Sequence, residues 1–380
     1  MKIVGLITEY NPFHAGHLYH MQQARELTGA DYCVVLMSGS FVQRGEPAIF
    51  DKYLRTKTAL LAGADLVLEI PVAFSTASAH EFAAYGVALL SAIGVDAVVF
   101  GSECGQIEIL KQAAYALNYE SAEFQERLRK GLKAGLTYPQ ARAKALEMED
   151  TWASVLSSPN NILGIEYLRA AEDLHSLMEF YTISRKGSGY HEDTLADANF
   201  PSASAIRGII RNSLSKDKDL LDILASHLPA VTHPAYTGAV PVFVDDFSEL
   251  LNAAILQMQA TFSIADLSPE LAARLAKPPY FPLSFEKRIQ ALKTRQLTYT
   301  RVSRALLHLA LGMREEDISR WKDEGYALYA RILGFRRQSS PLLSCLHKKS
   351  SIPLITKMAD ASQSLAPSAL ALLEQEVYAS

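Results

Sequence analysis

Met1-Lys2-Ile3-Val4-Gly5-Leu6-Ile7-Thr8-Glu9-Tyr10-Asn11-Pro12-Phe13-His14-Ala15-Gly16-His17 holds a strand, a turn and a helix start in seventeen residues. Ile3 to Thr8 is a β-branched and apolar run, the pattern of a buried strand. Asn11-Pro12 breaks it with a turn. His14-Ala15-Gly16-His17 then opens Leu18 to Leu27, whose spacing predicts an amphipathic helix. A helix start in that place offers backbone N–H groups and a positive end to an anion, and Gly16 lets the main chain approach it. The two imidazoles can donate hydrogen bonds to charge that develops on an α-phosphate as pyrophosphate departs. A lone His-x-Gly-His arises by chance, but its position after a strand and a turn points to a nucleotide phosphate.

The units that follow repeat strand then helix. Asp31 to Met37 reads as a strand ending in Ser38-Gly39-Ser40, Lys52 to Leu61 as a helix, and Asp65 to Ile70 as a strand closed by Pro71. Phe82 to Ile93 reads as a helix, and Asp96 to Phe100 as a strand before Gly101-Ser102-Glu103. Near-continuous apolar strands with intervening helices predict a doubly wound parallel α/β sheet covered on both faces. Ligands of such sheets sit outside the carboxyl ends of the strands, so the loops at 8–17, 38–44, 71–75 and 101–103 should converge on one crevice.

Residues 105–150 read as helical and polar, with no chemistry. The sheet resumes at Met178 to Ile183, and the loop Ser184-Arg185-Lys186-Gly187-Ser188-Gly189-Tyr190-His191 is glycine-rich and basic, with Arg185 able to fork onto phosphate oxygens. Asn160 and Asn161 precede an apolar helix from Ile162 to Ala171; one is expected to cap it and the other to offer an amide. From 208 the pattern turns helical, with helices expected over 212–227 and 247–260 and a turn region at Lys277 to Pro282. We expect a catalytic domain near 1–200 and a mainly helical, basic domain over 201–380. Ser202 or Ser204 suits a helix N-cap. His80, His175, His227, His233, His308 and His347 lack a partner motif, and no nucleophilic dyad is present.

The chain has 380 residues, 49% hydrophobic and 21% charged, as expected of a soluble globular protein. No apolar run approaches the roughly 18 residues that cross a bilayer. No signal peptide is read, and Cys33, Cys104 and Cys345 are too scattered for a zinc site or disulfide framework, so a cytoplasmic protein without a metal site is expected. The net charge of −4 hides an asymmetry: residues 287–357 hold fifteen Lys and Arg against five Asp and Glu. A basic segment on an acidic body is the footprint of a polyanion binder. Its interleaved Tyr299, Trp321, Tyr326, Tyr329 and Phe335 are candidates for stacking on unpaired bases. Lys287, Arg288, Arg301, Arg304, Arg336, Arg337, Lys348 and Lys349 are the candidate RNA contacts.

The strand, turn and His14-Ala15-Gly16-His17 motif resembles the HxGH nucleotidylyltransferase superfamily. Together with Met37-Ser38-Gly39-Ser40-Phe41-Val42-Gln43-Arg44-Gly45-Glu46-Pro47, Pro159 to Tyr167, Tyr299 to Val302 and Lys349 to Lys357, it resembles the tRNA(Met) cytidine acetate ligase family along the whole chain. That resemblance implies activation of acetate by ATP, with Mg²⁺ accompanying the nucleotide, to an acetyl-adenylate. The acetyl group then passes to N4 of the wobble cytidine of elongator tRNA(Met). It makes His14 and His17 catalytic. It implies nucleotide contacts along Ile7, Thr8, Glu9, Tyr10, Asn11, Pro12, Phe13, His14, Ala15, Gly16, His17, Leu18, Tyr19 and His20, and at Gly101, Asn160, Asn161 and Arg185.

Phe200-Pro201-Ser202-Ala203-Ser204-Ala205-Ile206-Arg207 is similar to the superfamily's Ser-Ser/Thr-x-Ile-Arg phosphate motif, with Ser202, Ser204 and Arg207 keeping its chemistry. Acetate needs only a small pocket with a cation or amide, for which Gln43, Arg44 and Lys52 are candidates. An adenylyltransferase or ligase acting on a small metabolite without RNA is the alternative, and the basic segment argues against it. A non-catalytic RNA-binding protein is a further alternative, against which the intact motif argues.

Overall fold

A computed structural model describes residues 1–120, 122–136, 138–145, 155–185, 202–214, 220–225, 227–258, 263–277 and 282–380. The apolar run after Lys2 forms β1 (Ile3–Thr8), buried at nearly every position. It lies inside a seven-stranded sheet ordered β7-β6-β1-β2-β5-β8-β9. The other strands of this sheet are β2 (Tyr32–Ser38), β5 (Leu66–Ile70), β6 (Ala97–Ser102), β7 (Glu179–Ser184), β8 (Ala330–Phe335) and β9 (Leu354–Ile355), while β3 (Phe41–Val42) and β4 (Glu46–Pro47) make a separate hairpin. From β7 to β5 every pairing is parallel.

Alternate residues of each strand feed two cores, as a sheet covered on both faces requires. Ile3, Val34, Leu36, Leu66 and Leu68 pack with Phe82, Val87 and Leu90 of the Ala79–Ala92 helix. Val4, Leu6, Val35, Met37 and Val67 pack with Met21 and Ala24 of α1 (Ala15–Thr28) and Ala59 of α2 (Lys52–Ala62). The Ala79–Ala92 helix sits close on the sheet because Gly86 has no side chain: a Cβ there would lie 2.7 Å from Ile7 Cδ1.

The chain builds β1, β2 and β5 to one side, then crosses back to place β6 against the other edge of β1. That reversal opens a crevice at the carboxyl ends of β1 and β6. The loop after β1, with its two histidines, stands there.

The stretch from 201 is mainly helical, as expected, but it also supplies β8 and β9. β8 runs antiparallel to β5, pairing Leu66 with Phe335, and so covers what would be an open edge. One contiguous core joins Leu68 and Phe82 to Leu306, Trp321 and Leu372, so the change of pattern near 200 marks no break in packing. Of the helix expected over 212–227, the described residues are helical up to Leu214, at the end of the Ala203–Leu214 helix, and again over Leu220–Ala225; residues 215–219 lie outside the described residues. No helix among the described residues is long and apolar enough to cross a membrane.

Candidate active site

α1 starts on its own histidines. His14 is the N-cap, with extended backbone, and its Nδ1 accepts from Gly16 N at 3.1 Å. His17, at the third helical position, returns the contact: its Nδ1 accepts from His14 N at 3.3 Å. This is the reciprocal capping-box arrangement with imidazoles in place of hydroxyl and carboxylate. The rings stack with centroids 3.7 Å apart.

Two chemical consequences follow. A ring nitrogen that accepts from a backbone N–H carries no proton, so the hydrogen bonds assign the Nε2–H tautomer to both neutral rings. The Gly16 N–H is spent on His14, and those of His17 and Leu18 go to His14 O, so these helix-start amides are not free for a phosphate as expected. The histidines' own remaining donors to an anion are the two Nε2–H groups.

Burial lowers the pKa of His14 to about 3, helped by the positive charges of Arg185 and Arg207. Burial, then His14 and Arg185, lower His17 well below the ordinary histidine value. Burial also lowers His20 to about 4, while its Nε2 bonds Val99 O at 3.1 Å, which ties it to β6 rather than to the crevice. At neutral pH the pair acts through N–H dipoles, not through charge.

The rest of the loop is mostly scaffold. Tyr10 and Phe13 are buried and pack edge-on with centroids 4.8 Å apart, with Tyr10 also 4.8 Å from the His17 ring. Ile7 abuts the helix at Gly86, Thr8 is buried at the end of β1, Leu18 packs on the core beneath α1, and Pro12 is buried. Ala15 and Tyr19 are partly exposed on the first turns of α1. Asn11 Oδ1 accepts from Ile49 N at 2.7 Å, and Glu9 Oε1 accepts from Gln43 N at 2.8 Å. These bonds tie the loop after β1 to the loop after β2.

Sequence reasoning misses the residue that locks those loops together. Arg55, from α2, is fully buried and donates to four backbone carbonyls: Phe50 O at 3.0 Å, Glu9 O at 2.7 Å, Ser38 O at 3.0 Å and Gly39 O. Burial lowers its pKa to about 10. Its only sequence mark is a basic residue at a core position of a helix.

Across the crevice stands the loop after β6. The stem of Arg185 lies over Gly101, where a Cβ would come within 3.3 Å of Arg185 Cγ. Arg185 Nη1 donates to Asn160 Oδ1 at 3.1 Å. Neither asparagine caps the Pro159–Asp173 helix as expected; Ser158 holds the cap position. The N-terminus is instead closed by Glu103, also missed, which accepts from Asn160 Nδ2 at 2.6 Å and from Asn161 N at 2.8 Å. Asn161 is buried, its Oδ1 accepting from Glu103 N and Cys104 N at 2.9 and 3.1 Å. Asn160, by contrast, is partly exposed. The loop from Lys186 to His191, and Phe200-Pro201, lie outside the described residues.

Ser202 Oγ accepts from Ala205 N at 3.1 Å, so this hydroxyl serves the start of the Ala203–Leu214 helix. Arg207 Nη1 donates to Asn11 O at 2.7 Å and Nη2 to Ser204 Oγ at 3.2 Å. Burial comes first in lowering the Arg207 pKa, and Arg44 adds to it. His14, His17, Gly101, Asn160, Arg185, Ser204 and Arg207 thus frame one crevice.

Of the acetate candidates, Lys52 is removed by the structure. It is 3% exposed and bridges two buried carboxylates, Glu69 at 2.6 Å and Glu376 at 2.9 Å, with Ser380 Oγ at 2.7 Å. Arg331 Nη1 meets the other Glu69 oxygen at 2.8 Å. Burial pushes the Glu69 pKa up to about 8, reinforced by Glu376. Burial acts to lower Lys52, but the two carboxylates outweigh it and hold its pKa above the ordinary value. Gln43 keeps an amide nitrogen buried without a partner.

Part of the basic segment is spent on the protein itself. Arg304 pairs with Asp266 at 3.0 Å, Arg331 with Glu69, Lys322 with Glu81 at 2.7 Å and Lys349 with Asp96 at 3.5 Å. Each partner lies outside 287–357, so the charge asymmetry along the chain closes by stitching that segment to the acidic body. Arg288 is buried and bonds Asn252 Oδ1 at 2.8 Å. Trp321 and Tyr329 are buried and the Tyr326 hydroxyl bonds Glu81, so these rings are not free stacking platforms; the Tyr299 hydroxyl bonds Glu286 while its ring lines a cavity. Phe335 is exposed.

Position along the sheet divides the remaining cations. Arg336 N bonds Asp65 O and Lys349 Nζ approaches Gly94 O, both at the amino ends of the parallel strands. Arg337 and Lys348, their exposed chain neighbours, belong to that end. The same end holds a cavity of about 810 Å³ lined by Met21, Arg25, Asp65 and Arg336. It is a strand length, about 17 Å at 3.3 Å per residue, from the histidines. Lys287 and Arg301 are exposed beside Glu286 and Tyr299, which line a smaller cavity together with Arg207. Among the described residues no group of His, Cys, Asp and Glu could hold a metal ion.

A family model, HIGH Nucleotidyl Transferase, matches residues 1–380. The tRNA(Met) cytidine acetate ligase of Acetivibrio thermocellus is 39% identical over 391 residues, covering all of this chain and 94% of the relative. That of Clostridium novyi is 39% identical over 365 residues, covering 94% of this chain and 90% of the relative. Among solved structures, Thermotoga maritima TmcAL without ligand is similar with a TM-score of 0.90 at 32% identity, over all of this chain and 93% of that one. The same protein bound with alpha-thio ATP is similar with a TM-score of 0.86 at 32% identity, over 100% and 92% of the two chains.

Proposed function

The chain belongs to the tRNA(Met) cytidine acetate ligase family within the HIGH nucleotidyl transferases, and we propose that it joins acetate to a tRNA(Met) cytidine using ATP. A carboxylate oxygen of acetate attacks the α-phosphorus, the bond to the β-phosphate breaks, and pyrophosphate leaves. The cytidine N4 then attacks the acetyl carbonyl carbon and AMP leaves. Mg²⁺ enters with the triphosphate, as part of the nucleotide substrate. The reaction is cytoplasmic, where tRNA is modified.

The observation that carries this reading is the reciprocal cap of His14 and His17. It holds two neutral rings as Nε2–H donors in a low-dielectric site, where charge builds on the α-phosphate. Arg185 supplies positive charge for the phosphates, Asn160 an amide for the nucleoside, and Gln43 an amide for acetate. The test is exchange of labelled pyrophosphate into ATP without RNA: it should require acetate, and exchange that ignores acetate would refute the carboxylate assignment.

The placement of the exposed cations supports a tRNA face around Lys287 and Arg301. Reversing both charges should weaken tRNA binding and reduce the log–log salt slope by about 0.7 to 0.9 for each phosphate no longer neutralised. Reversing Arg336, Arg337 and Lys348 should change the slope little. Salt titrations of tRNA binding by the two variants distinguish them, and an unaltered slope in the first would move the tRNA face elsewhere.

A further inference from the structure

A cavity of about 220 Å³ lies between the β3–β4 hairpin, the Ala203–Leu214 helix and the helical stretch beyond it. Glu46, Arg207, Arg211, Phe243, Glu286 and Tyr299 line it. It adjoins the loop of the histidines: Arg207 donates to Asn11 O, and Ile49, also in the lining, donates to Asn11 Oδ1. Asn11 stands three residues before His14.

The lining is balanced in charge, with two arginines and two glutamates. A polyphosphate would meet carboxylates there, whereas a neutral ring with both donor and acceptor edges would find partners for each. The Arg211 guanidinium lies over Phe243, 4.9 Å from the ring centroid. Tyr299 is pushed above its ordinary pKa by burial first and then by the carboxylates of Glu286 and Glu46, so Glu46 faces this ring. Glu46 also lies in the field of Arg207. A carboxylate beside a guanidinium, with aromatic walls, matches one base edge in particular. Cytosine presents a donor at N4 followed by acceptors at N3 and O2, whereas uracil presents an acceptor at the first of these positions.

The geometry points to this cavity as the pocket for the acceptor cytosine, with Glu46 as the base for its N4 amine. The inference rests on the reading under Proposed function. The base leaves the single-stranded loop and enters between Phe243 and Tyr299. Arg207 donates to N3 and O2, and Glu46 accepts an N4–H. As the N4 lone pair forms the bond to the acetyl carbon, the bond from that carbon to the adenylate oxygen breaks and AMP departs. The N4 proton passes to the Glu46 carboxylate. Atoms and charge balance without a further reactant.

Glu46→Gln in the full-length chain keeps an acceptor oxygen but loses the base. Acetyl transfer to tRNA should fall about a hundredfold in kcat with little change in KM, the scale of a lost general base. Acetate-dependent pyrophosphate exchange should be unchanged. Glu46→Ala should erase a preference, expected to be about tenfold in the wild type, for an anticodon stem-loop with cytosine over one with uracil at the wobble position. Phe243→Leu, with Glu46 intact, should weaken binding of both stem-loops and leave exchange alone.

Collapse of exchange in Glu46→Gln would assign the cavity to ATP or pyrophosphate and overturn the inference. So would a wild-type protein that binds both stem-loops equally, or a Glu46→Ala variant that keeps the preference. Wild-type protein without acetate-dependent exchange would instead refute the acetate reading, and the stem-loop comparison would still decide the pocket.

Discussion

His17→Ala is expected to lower acetyl-adenylate formation by about a hundred- to a thousandfold, the effect of removing one preorganised donor from a developing oxyanion. The expectation rests on the cap. His17 Nδ1 accepts from His14 N, which fixes the ring and leaves its Nε2–H for the α-phosphate. Alanine removes the donor and also half of the capping box, a structural cost of about 1 kcal/mol, too small to unfold the protein. tRNA affinity should hardly move, because the exposed cations lie elsewhere. Single-turnover formation of the adenylate measures the effect, and a rate within a few-fold of wild type would remove His17 from the chemistry.

Lys52→Met should destabilise the protein by about 3 to 5 kcal/mol, the range for leaving a buried charge without its partner. Glu69 and Glu376, 1% and 0% exposed, would face each other with Arg331, the Val72 amide and the Ser380 hydroxyl to offset them. The double variant Lys52→Met/Glu376→Gln should recover much of the loss, since it removes one of the opposed charges. Urea denaturation of the three proteins checks this. A Lys52→Met variant of wild-type stability with a raised KM for acetate would contradict the structural role and return Lys52 to the acetate pocket.

The same two sites mark what can and cannot be read from this sequence. β1, the Asn-Pro turn and the helix start are local: all three fall within seventeen residues and pattern alone reveals them, whereas the reciprocal histidine cap that takes up the helix-start amides is not legible there. The parallel strands through β7 are legible for the same reason. Contacts between distant residues are not. Arg55 clamps carbonyls from two other loops, Glu103 closes a helix that starts 56 residues later at Pro159, and Glu376 reaches Lys52 and the amide of Val72 from the last helix. Nothing near these residues marks their partners.

Charge misleads where it is spent internally. Arg304 and Lys349 read as part of a basic footprint, but their partners Asp266 and Asp96 are acidic residues of the body. Trp321 and Tyr329 read as stacking platforms because aromatic residues near arginines serve both cores and RNA sites. Burial decides between those uses, and burial is a property of the whole fold.

The most direct test of the account is to incubate the protein with carboxyl-labelled acetate, ATP and total tRNA, then digest the RNA to nucleosides. The account predicts label in a single nucleoside, N4-acetylcytidine, from the wobble position of elongator tRNA(Met), with AMP and pyrophosphate formed alongside. Label in a small metabolite with none in RNA, or acetylation of RNA only when an acetyl donor other than acetate is supplied, would contradict it.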